Sequence, residues 1–580
     1  MGWRGGAPVR FLEQSPLPSD VFMKRSACSS LAVVLLLVSA SGCGGGDTSA
    51  DAGPLDACNC DGGGDGTPPE PGNTLTASNP TSSNVDLSWS AATDDTTAAA
   101  SLEYRVYFSL TDNLDTLGDV ESNGTPAGDW ALNLTAFTVE SLSLDTTYFF
   151  NVLVRDEAGN VAVYGGASET TLDGSWQDAA PLEDYTGGSI YYSTLALAPD
   201  GEVLAYWDQQ PSWDAHFATR GLGVGAFTGA APWSDEEFYT PTLGYGFDGN
   251  LMGASLRSNG DATTDVLFGQ AVPGSGITFD EVATGLDTDY ARDALACVAQ
   301  NGDVMVVWMD GTASSTYSLR ARFRTGTTWG TTSLVSAGEG LDLSGLNVVC
   351  SPNGDHMVLF GEDPGTDSVL NARVYDATLD NWMAATPLGT DNYQYYVTTA
   401  RTADGRVVVA YEEYDDTAMV GYFRARTYSG TTWSTPADTL ASDNPVNVNS
   451  LRLAAAGNDV HAVWRASPSQ FMTRRLEEGS TTWTAEAPLE TVAAVQEFCL
   501  AGGPTGGLVL TWAAGAAVAA QLYSGGTDTW GTVTPLLPAG DGVGYGSLAC
   551  IMDSRRQATV VWTEWDPVAG EYSAFERTFR

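Results

Sequence analysis

Gln300-Asn301-Gly302 stands directly before the apolar run Val304-Met305-Val306-Val307-Trp308, and Gly326-Thr327-Thr328-Trp329 follows it. The same order of marks recurs along the chain. Pro199-Asp200-Gly201 precedes Val203-Leu204-Ala205-Tyr206-Trp207, and Pro352-Asn353-Gly354, Ala403-Asp404-Gly405 and Gly506-Gly507 open equivalent runs. The closing Trp falls at 176, 233, 329, 382, 433, 483 and 530, with Phe279 in the remaining place, at intervals of 46 to 57 residues. Asp-Gly and Asn-Gly accept positive φ and turn a chain back on itself, so each mark reads as a hairpin between two strands. A third strand follows, carrying Ala321-Arg322, Ala372-Arg373 and Ala425-Arg426 in matching places.

Each unit therefore holds four short strands in about 50 residues. A lone four-stranded sheet leaves both faces uncovered, whereas sheets standing in a circle cover one another, so the expected architecture is a β-propeller. Eight units fit between Ser175 and Arg580. Seven remains open, because the unit from Trp233 to Thr278 divides least cleanly into strands. The last unit ends after its third strand, and Trp176-Gln177-Asp178-Ala179-Ala180 is positioned to supply the missing outer one. The repeated Trp is expected to fill space between blades. The repeated Arg is expected to make one structural hydrogen bond per blade, within it or to its neighbour.

Residues 74–172 alternate apolar and polar positions, as in Val85-Asp86-Leu87-Ser88-Trp89 and Tyr148-Phe149-Phe150-Asn151-Val152-Leu153-Val154, which is the period of half-buried strands. This segment resembles a fibronectin type III domain. Trp89 matches that family's core Trp, and Leu142, Leu144 and Tyr148 match the corner before its sixth strand. The resemblance implies a β-sandwich in which the Tyr148 hydroxyl pins the corner to upstream backbone, with Asp156-Glu157-Ala158-Gly159-Asn160 as the last hairpin turn. The overall expectation is an all-β protein, a sandwich followed by a propeller.

Upstream, Lys24-Arg25 precede the apolar run Leu31 to Val38, too short to span a bilayer. Small residues and a Cys follow at Ala40-Ser41-Gly42-Cys43, so residues 1–42 read as an export signal whose true start is Met23. The sequence around Cys43 resembles the lipobox of bacterial lipoproteins, which implies lipidation at Cys43. Gly44 in place of Asp implies the outer membrane of a Gram-negative cell. Residues 43–73 are rich in Gly, Asp and Pro and read as a disordered tether. Cys58 and Cys60 lie in it, too closely spaced for an ordinary zinc site.

Four further cysteines, Cys297, Cys350, Cys499 and Cys550, each precede a hairpin turn and so belong to innermost strands of two neighbouring pairs of blades. In an oxidising compartment Cys297–Cys350 and Cys499–Cys550 are candidate bridges; four buried thiols are the alternative. Acids follow the second strand of many units, in the turns beyond it: Asp208, Asp310, Glu362, Asp363, Glu412, Glu413, Glu564 and Asp566. On a propeller these share one face, either as a ring that attracts cations or a basic partner, or as solubilising charge.

Lys and Arg total 25 against 72 Asp and Glu, a net charge of −47, which excludes nucleic acid as a partner for the bulk of the chain. Only His216, His356 and His461 are present, and His461 sits inside a strand run. No zinc-protease helix, phosphate-binding Gly loop or nucleophile elbow occurs, and no cofactor or metal site is expected. Ser429-Gly430-Thr431-Thr432-Trp433 resembles the Asp box of sialidases, but its defining Asp is absent. That family's Arg clamp and Tyr-Glu pair find no counterpart. The expected function is a lipid-anchored surface or periplasmic protein, attached to the membrane through its lipid alone, whose propeller face binds a protein or glycan. The alternative is a hydrolase acting on glycans.

Overall fold

The computed structural model describes residues 65–580 except 141, 183–188, 210–213, 222–226, 233–237, 260–262, 273–275, 288–291, 314–315, 339–341, 364–368, 390–392, 416–418, 442–450, 492–493, 516, 526, 538–542 and 567–569. The export signal, Cys43, Cys58, Cys60, Trp233 and most of the tether lie outside the described residues.

Thr76–Ser78, Val85–Ser88 and Ala136–Val139 form one sheet of the sandwich. Glu103–Ser109 and Thr147–Arg155 lead the other, flanked by Thr125–Pro126, Ala131–Leu132, Val161–Val163 and Ala167–Thr170. Trp89, Tyr104, Tyr148, Tyr164 and Leu142 belong to one buried core. At the corner, the Ser143 amide donates to the Tyr148 hydroxyl at 2.9 Å, the link the family resemblance implied. Sequence periodicity did not mark the helix Leu117–Asn123. It rests on a local device: Thr116 accepts from the Asp119 amide, Asp119 accepts from the Thr116 amide, and Val120 is buried beneath.

Eight antiparallel sheets follow. Blade 1 runs Ile190–Leu197, Val203–Gln209, Asp214–Arg220 and Thr228–Pro232. The next six repeat that order, and their innermost strands begin at Phe238, Arg292, Asp342, Tyr393, Leu451 and Glu497. Blade 2, the segment hardest to divide by sequence, is a complete sheet ending in Gly276–Asp287, so the count is eight. Blade 8 contains Val543–Met552, Ala558–Asp566 and Glu571–Phe579, and its outer strand comes from the other end of the domain. Ala180–Pro181 pairs with Phe575 and Glu576, and Trp176 bridges to Phe579.

Ring closure is visible in the apolar cores. Eight separate clusters occupy the eight gaps between neighbouring blades, including one that joins Ala205 and Trp207 of blade 1 to Ala549 and Val561 of blade 8. Strand alternation sends side chains alternately into the gap before and the gap after each sheet. The fully buried Trp are Trp207, Trp308, Trp464 and Trp562 on the second strands. The repeat-marking Trp lie farther out. Trp329, Trp382, Trp433 and Trp530 are half-buried on the outer strands and seal the rim of each gap.

The repeated Arg stitches one blade to the next. Arg322 donates through Nε to the Gly330 carbonyl of its own blade (2.8 Å) and through Nη1 to Val282 of blade 2 (2.6 Å). Arg373 does the same with Met383 (2.9 Å) and Val335 (2.6 Å), and Arg426 with Ser434 (2.9 Å) and Pro387 (3.0 Å). Each guanidinium also lies about 6 Å from the outer Trp ring of its own blade, as in Arg373 and Trp382 at 5.7 Å. Both expected readings of this Arg, within and between blades, therefore hold at once.

Cys297 and Cys350 are bonded between blades 3 and 4, and Cys499 and Cys550 between blades 7 and 8, with Cα separations of 5.3 and 5.9 Å. All four lie in or at the end of an innermost strand, where neighbouring blades approach most closely.

The sandwich corner rests on the hairpin-turn side of blades 7 and 8. The Leu144 amide donates to the Arg555 carbonyl (3.1 Å), Ser143 Oγ to the Ser554 carbonyl (3.2 Å) and Arg556 Nη1 to the Asp145 carbonyl (3.1 Å). Beside these contacts a cleft of about 450 Å³ is lined by Leu144, Trp176, Tyr523 and Arg556.

Candidate functional site

The strand-end acids sit opposite the sandwich. A second strand begins at the hairpin-turn side, so its last residues reach the other side of the ring, and all blades share this direction. The acids complete the strands themselves instead of lying in the turns beyond. Asp208 ends Val203–Gln209, Asp310 lies in Val304–Ala313, Glu362 and Asp363 end Met357–Asp363, Glu412 and Glu413 lie in Val407–Asp415, and Glu564 and Asp566 end Ala558–Asp566. Strand hydrogen bonding continues past the last Trp or Tyr, which the turn-based reading of the sequence could not anticipate. The Asp566 side chain lies outside the described residues.

The ring is not uniformly acidic. At the equivalent strand ends blade 2 carries Arg257, blade 6 carries Arg465 and blade 7 carries Ala513-Ala514. Arg257 pairs with Asp265 (2.8 Å) and Glu281 (3.0 Å). Several acids have a cationic partner one strand away: Asp310 with Arg320 and Glu413 with Arg424, both at 2.8 Å. In each pair the Arg lies diagonally across, two residues beyond the one directly opposite the acid, which is Ser318 for Asp310 and Tyr422 for Glu413.

Two of the acids are held differently. Burial pushes the Asp208 carboxyl up to about 6 and that of Glu412 up to about 7. Glu412 is only 6% exposed, and its Oε2 has no partner among the described residues. Glu362 Oε1 is likewise unpartnered, while its Oε2 accepts from Asn371 at 3.4 Å. Glu412 and Glu413 do not form a working pair. Tyr411 and Val409 point with Glu413 toward blade 4, whereas Ala410 and Val408 point with Glu412 toward blade 6. Blades 1 and 5 stand across the ring from each other, so Asp208 and Glu412 act at separate places.

The histidines offer no base at neutral pH where they are buried. Burial pushes His356 and His461 each down to about 3. His356 Nδ1 accepts from the Ser351 amide at 3.1 Å. His461 packs 4.5 Å from the Tyr523 ring, and its Nε2 lacks a partner among the described residues, so it is a strand residue but not a satisfied one.

No protein-family model matches the sequence. Chitinase C of Streptomyces lividans is 35% identical over 130 residues, covering 22% of this chain and 18% of that protein. Chitinase A1 of Niallia circulans is 30% identical over 165 residues, covering 26% and 21%. The chain thus spans about a fifth of the length of these relatives. Among solved structures, an ulvan lyase of a polysaccharide lyase family aligns with TM-score 0.39 and 10% identity, over 59% of this chain and 91% of that one. A sialidase from Streptococcus pneumoniae aligns with TM-score 0.31 and 9% identity, over 88% and 98%. At such scores the propeller is established by its own sheet order and its eight inter-blade cores. No helix among the described residues is long and apolar enough to cross a membrane.

Proposed function

We propose that this chain is an exported protein acting on a glycan, with the acid-bearing propeller face as its working surface and the sandwich as a spacer behind it. The observation that carries the reading is the pair of strand-end carboxyls, Asp208 and Glu412, which burial keeps able to hold a proton near neutral pH. A glycosidic bond is hydrolysed when such a carboxyl protonates the departing oxygen while a water molecule, giving its proton to a second carboxylate, bonds the anomeric carbon. The partial likeness to two chitinases supports a polysaccharide as the ligand class. The net charge of −47 favours a neutral or cationic chain such as chitin or its deacetylated form over an anionic one.

Incubation with colloidal chitin and a panel of neutral polysaccharides, read as new reducing ends, tests this. Because the two acids act at separate places, release should fall by about a hundredfold or more in whichever of Asp208→Asn and Glu412→Gln removes the working acid, and in the double variant. A second reading, binding without turnover, is favoured by the ion pairs that already occupy Asp310 and Glu413. Saturable co-sedimentation with the polysaccharide and no reducing ends would select it.

Attachment at Cys43 through lipid belongs to the same proposal and places the protein at the outer membrane. A Cys43→Ser variant should leave the membrane fraction, and an unchanged distribution would refute the anchor.

A further inference from the structure

Asp65, Asp94 and Asp156 come from three parts of the chain and meet at one end of the sandwich, where a carboxylate oxygen of each lies within 4.8 Å of the other two. Asp65 is the first described residue, Asp94 follows the strand Val85–Ser88, and Asp156 opens the turn after Thr147–Arg155. Their six oxygens divide clearly. Asp65 Oδ1 accepts from the Thr67 amide (3.1 Å), and Asp94 Oδ2 from the amides of Thr96 (3.0 Å) and Thr97 (2.7 Å). Asp156, 4% exposed, accepts at Oδ1 from the Asn160 amide and at Oδ2 from Asn160 Nδ2, both 2.8 Å.

The two oxygens left over, Asp65 Oδ2 and Asp94 Oδ1, are sealed from solvent and have no donor among the described residues. A buried carboxylate oxygen without a partner is costly, and two of them beside a third carboxylate compound the repulsion. The nearby cation does not relieve it, because Arg155 is engaged by Glu103 at 2.7 Å.

We propose that these three carboxylates bind one Ca²⁺ ion, which clamps the end of the tether onto the sandwich. The donor set is all oxygen, as a hard cation requires, with neither His nor Cys in the cluster. Ligand oxygens about 2.4 Å from one ion lie at most about 4.8 Å apart, and one carboxylate oxygen of each Asp falls within that limit of the other two. The clamp would act at a defined place: Asn160 Nδ2 also reaches the Asp65 carbonyl (3.2 Å), and Glu70 bridges to Thr93. With the ion in place, the chain leaves the sandwich in one fixed direction.

Calorimetric titration of the full mature chain with CaCl₂ in 150 mM NaCl tests the site. One saturable event with Kd on the order of 10⁻⁴ M is expected, as for extracellular calcium modules. Asp65→Asn and Asp94→Asn should each weaken it by about tenfold or more, while Asp310→Asn on the propeller leaves it unchanged. Asp156 also holds its own turn, so its substitution risks unfolding and is not used. As a second readout, Ca²⁺ should slow proteolytic cleavage between residues 66 and 70 in the wild type and not in Asp65→Asn. Identical titrations of wild type and both variants, or equal protection by Mg²⁺ at the same concentration, would overturn the proposal.

Discussion

Arg220 Nη1 meets Glu576 Oε2 at 2.9 Å although 356 residues separate them, and both side chains are about 5% exposed. The contact joins the third strand of the first blade to the third strand of the last, beside the outer strand that the beginning of the domain lends to its end. Arg220 also donates to Thr578 (2.7 Å) and Thr559, so its charge is fully enclosed by blade 8. Replacing Arg220 by Met leaves a buried carboxylate without its cation, which costs about 3–5 kcal/mol. Changing Glu576 to Met as well should recover most of that loss, since an apolar pair needs no compensation. Urea unfolding of the two variants decides the matter. A single variant that unfolds with the wild type would show that the ring closes without this pair.

The inter-blade stitch makes a second quantitative prediction. Arg373→Ala strips donors from the carbonyls of Leu334, Val335 and Met383, and should cost about 2 kcal/mol. Blade 7 carries Gln521 at the same place, and its Nε2 reaches only its own outer strand, at Gly531 (2.8 Å). Arg373→Gln should therefore retain the bond to Met383, lose the one to blade 3 and fall between Ala and the wild type. Denaturant midpoints of the three proteins check the order.

These two cases mark what was legible in the sequence. Hairpin turns, apolar runs, outer Trp and the Arg recur at a fixed period, and period alone identifies strands and their order within a blade. Partners across the ring leave no such trace. Arg220 shares its register position with Arg324 of blade 3, but Glu576 is one of 72 acids, so only closure of the ring brings Arg220 and Glu576 together. For the same reason the reading of an acidic ring did not take in Arg257 and Arg465, which stand at the equivalent strand ends of blades 2 and 6. The carboxylate cluster of the sandwich was equally hidden, because Asp65, Asp94 and Asp156 lie far apart along the chain and only the fold brings them together.

Arg556 is a third case, in which the departure from the repeat carries the information. Seven of the eight hairpin turns place Gly in the left-handed region, such as Gly302 at φ 84° and Gly405 at φ 90°. Blade 8 places Arg556 there at φ 61°, a conformation that costs an L-residue about 1 kcal/mol or more. Its side chain bonds to the Thr505 carbonyl (2.9 Å) and to the sandwich at Asp145 (3.1 Å). Arg556→Gly should relieve the backbone yet release the sandwich. Hydrogen exchange at the Leu144 amide, which donates to Arg555, should accelerate by about tenfold, an open-state gain of about 1.4 kcal/mol. Unchanged exchange there would mean that the corner is held without Arg556.

The Glu412 carboxyl makes stability depend on pH in a direction opposite to that of a salt-bridged acid. Burial raises it from an ordinary 4.5 to about 7, so between those values the folded chain holds a proton that the unfolded chain has released. Its contribution is therefore full below about pH 4.5, declines as pH rises and is gone above about 7. Glu412→Gln removes the titration while preserving the shape of the neutral acid. Subtracting its urea midpoints from those of the wild type cancels the general repulsion of an acidic protein. The difference should be near zero at pH 4.5 and should favour the variant increasingly up to pH 8. If the two curves run parallel throughout, Glu412 is already ionised at low pH and cannot serve as a proton donor on the working face.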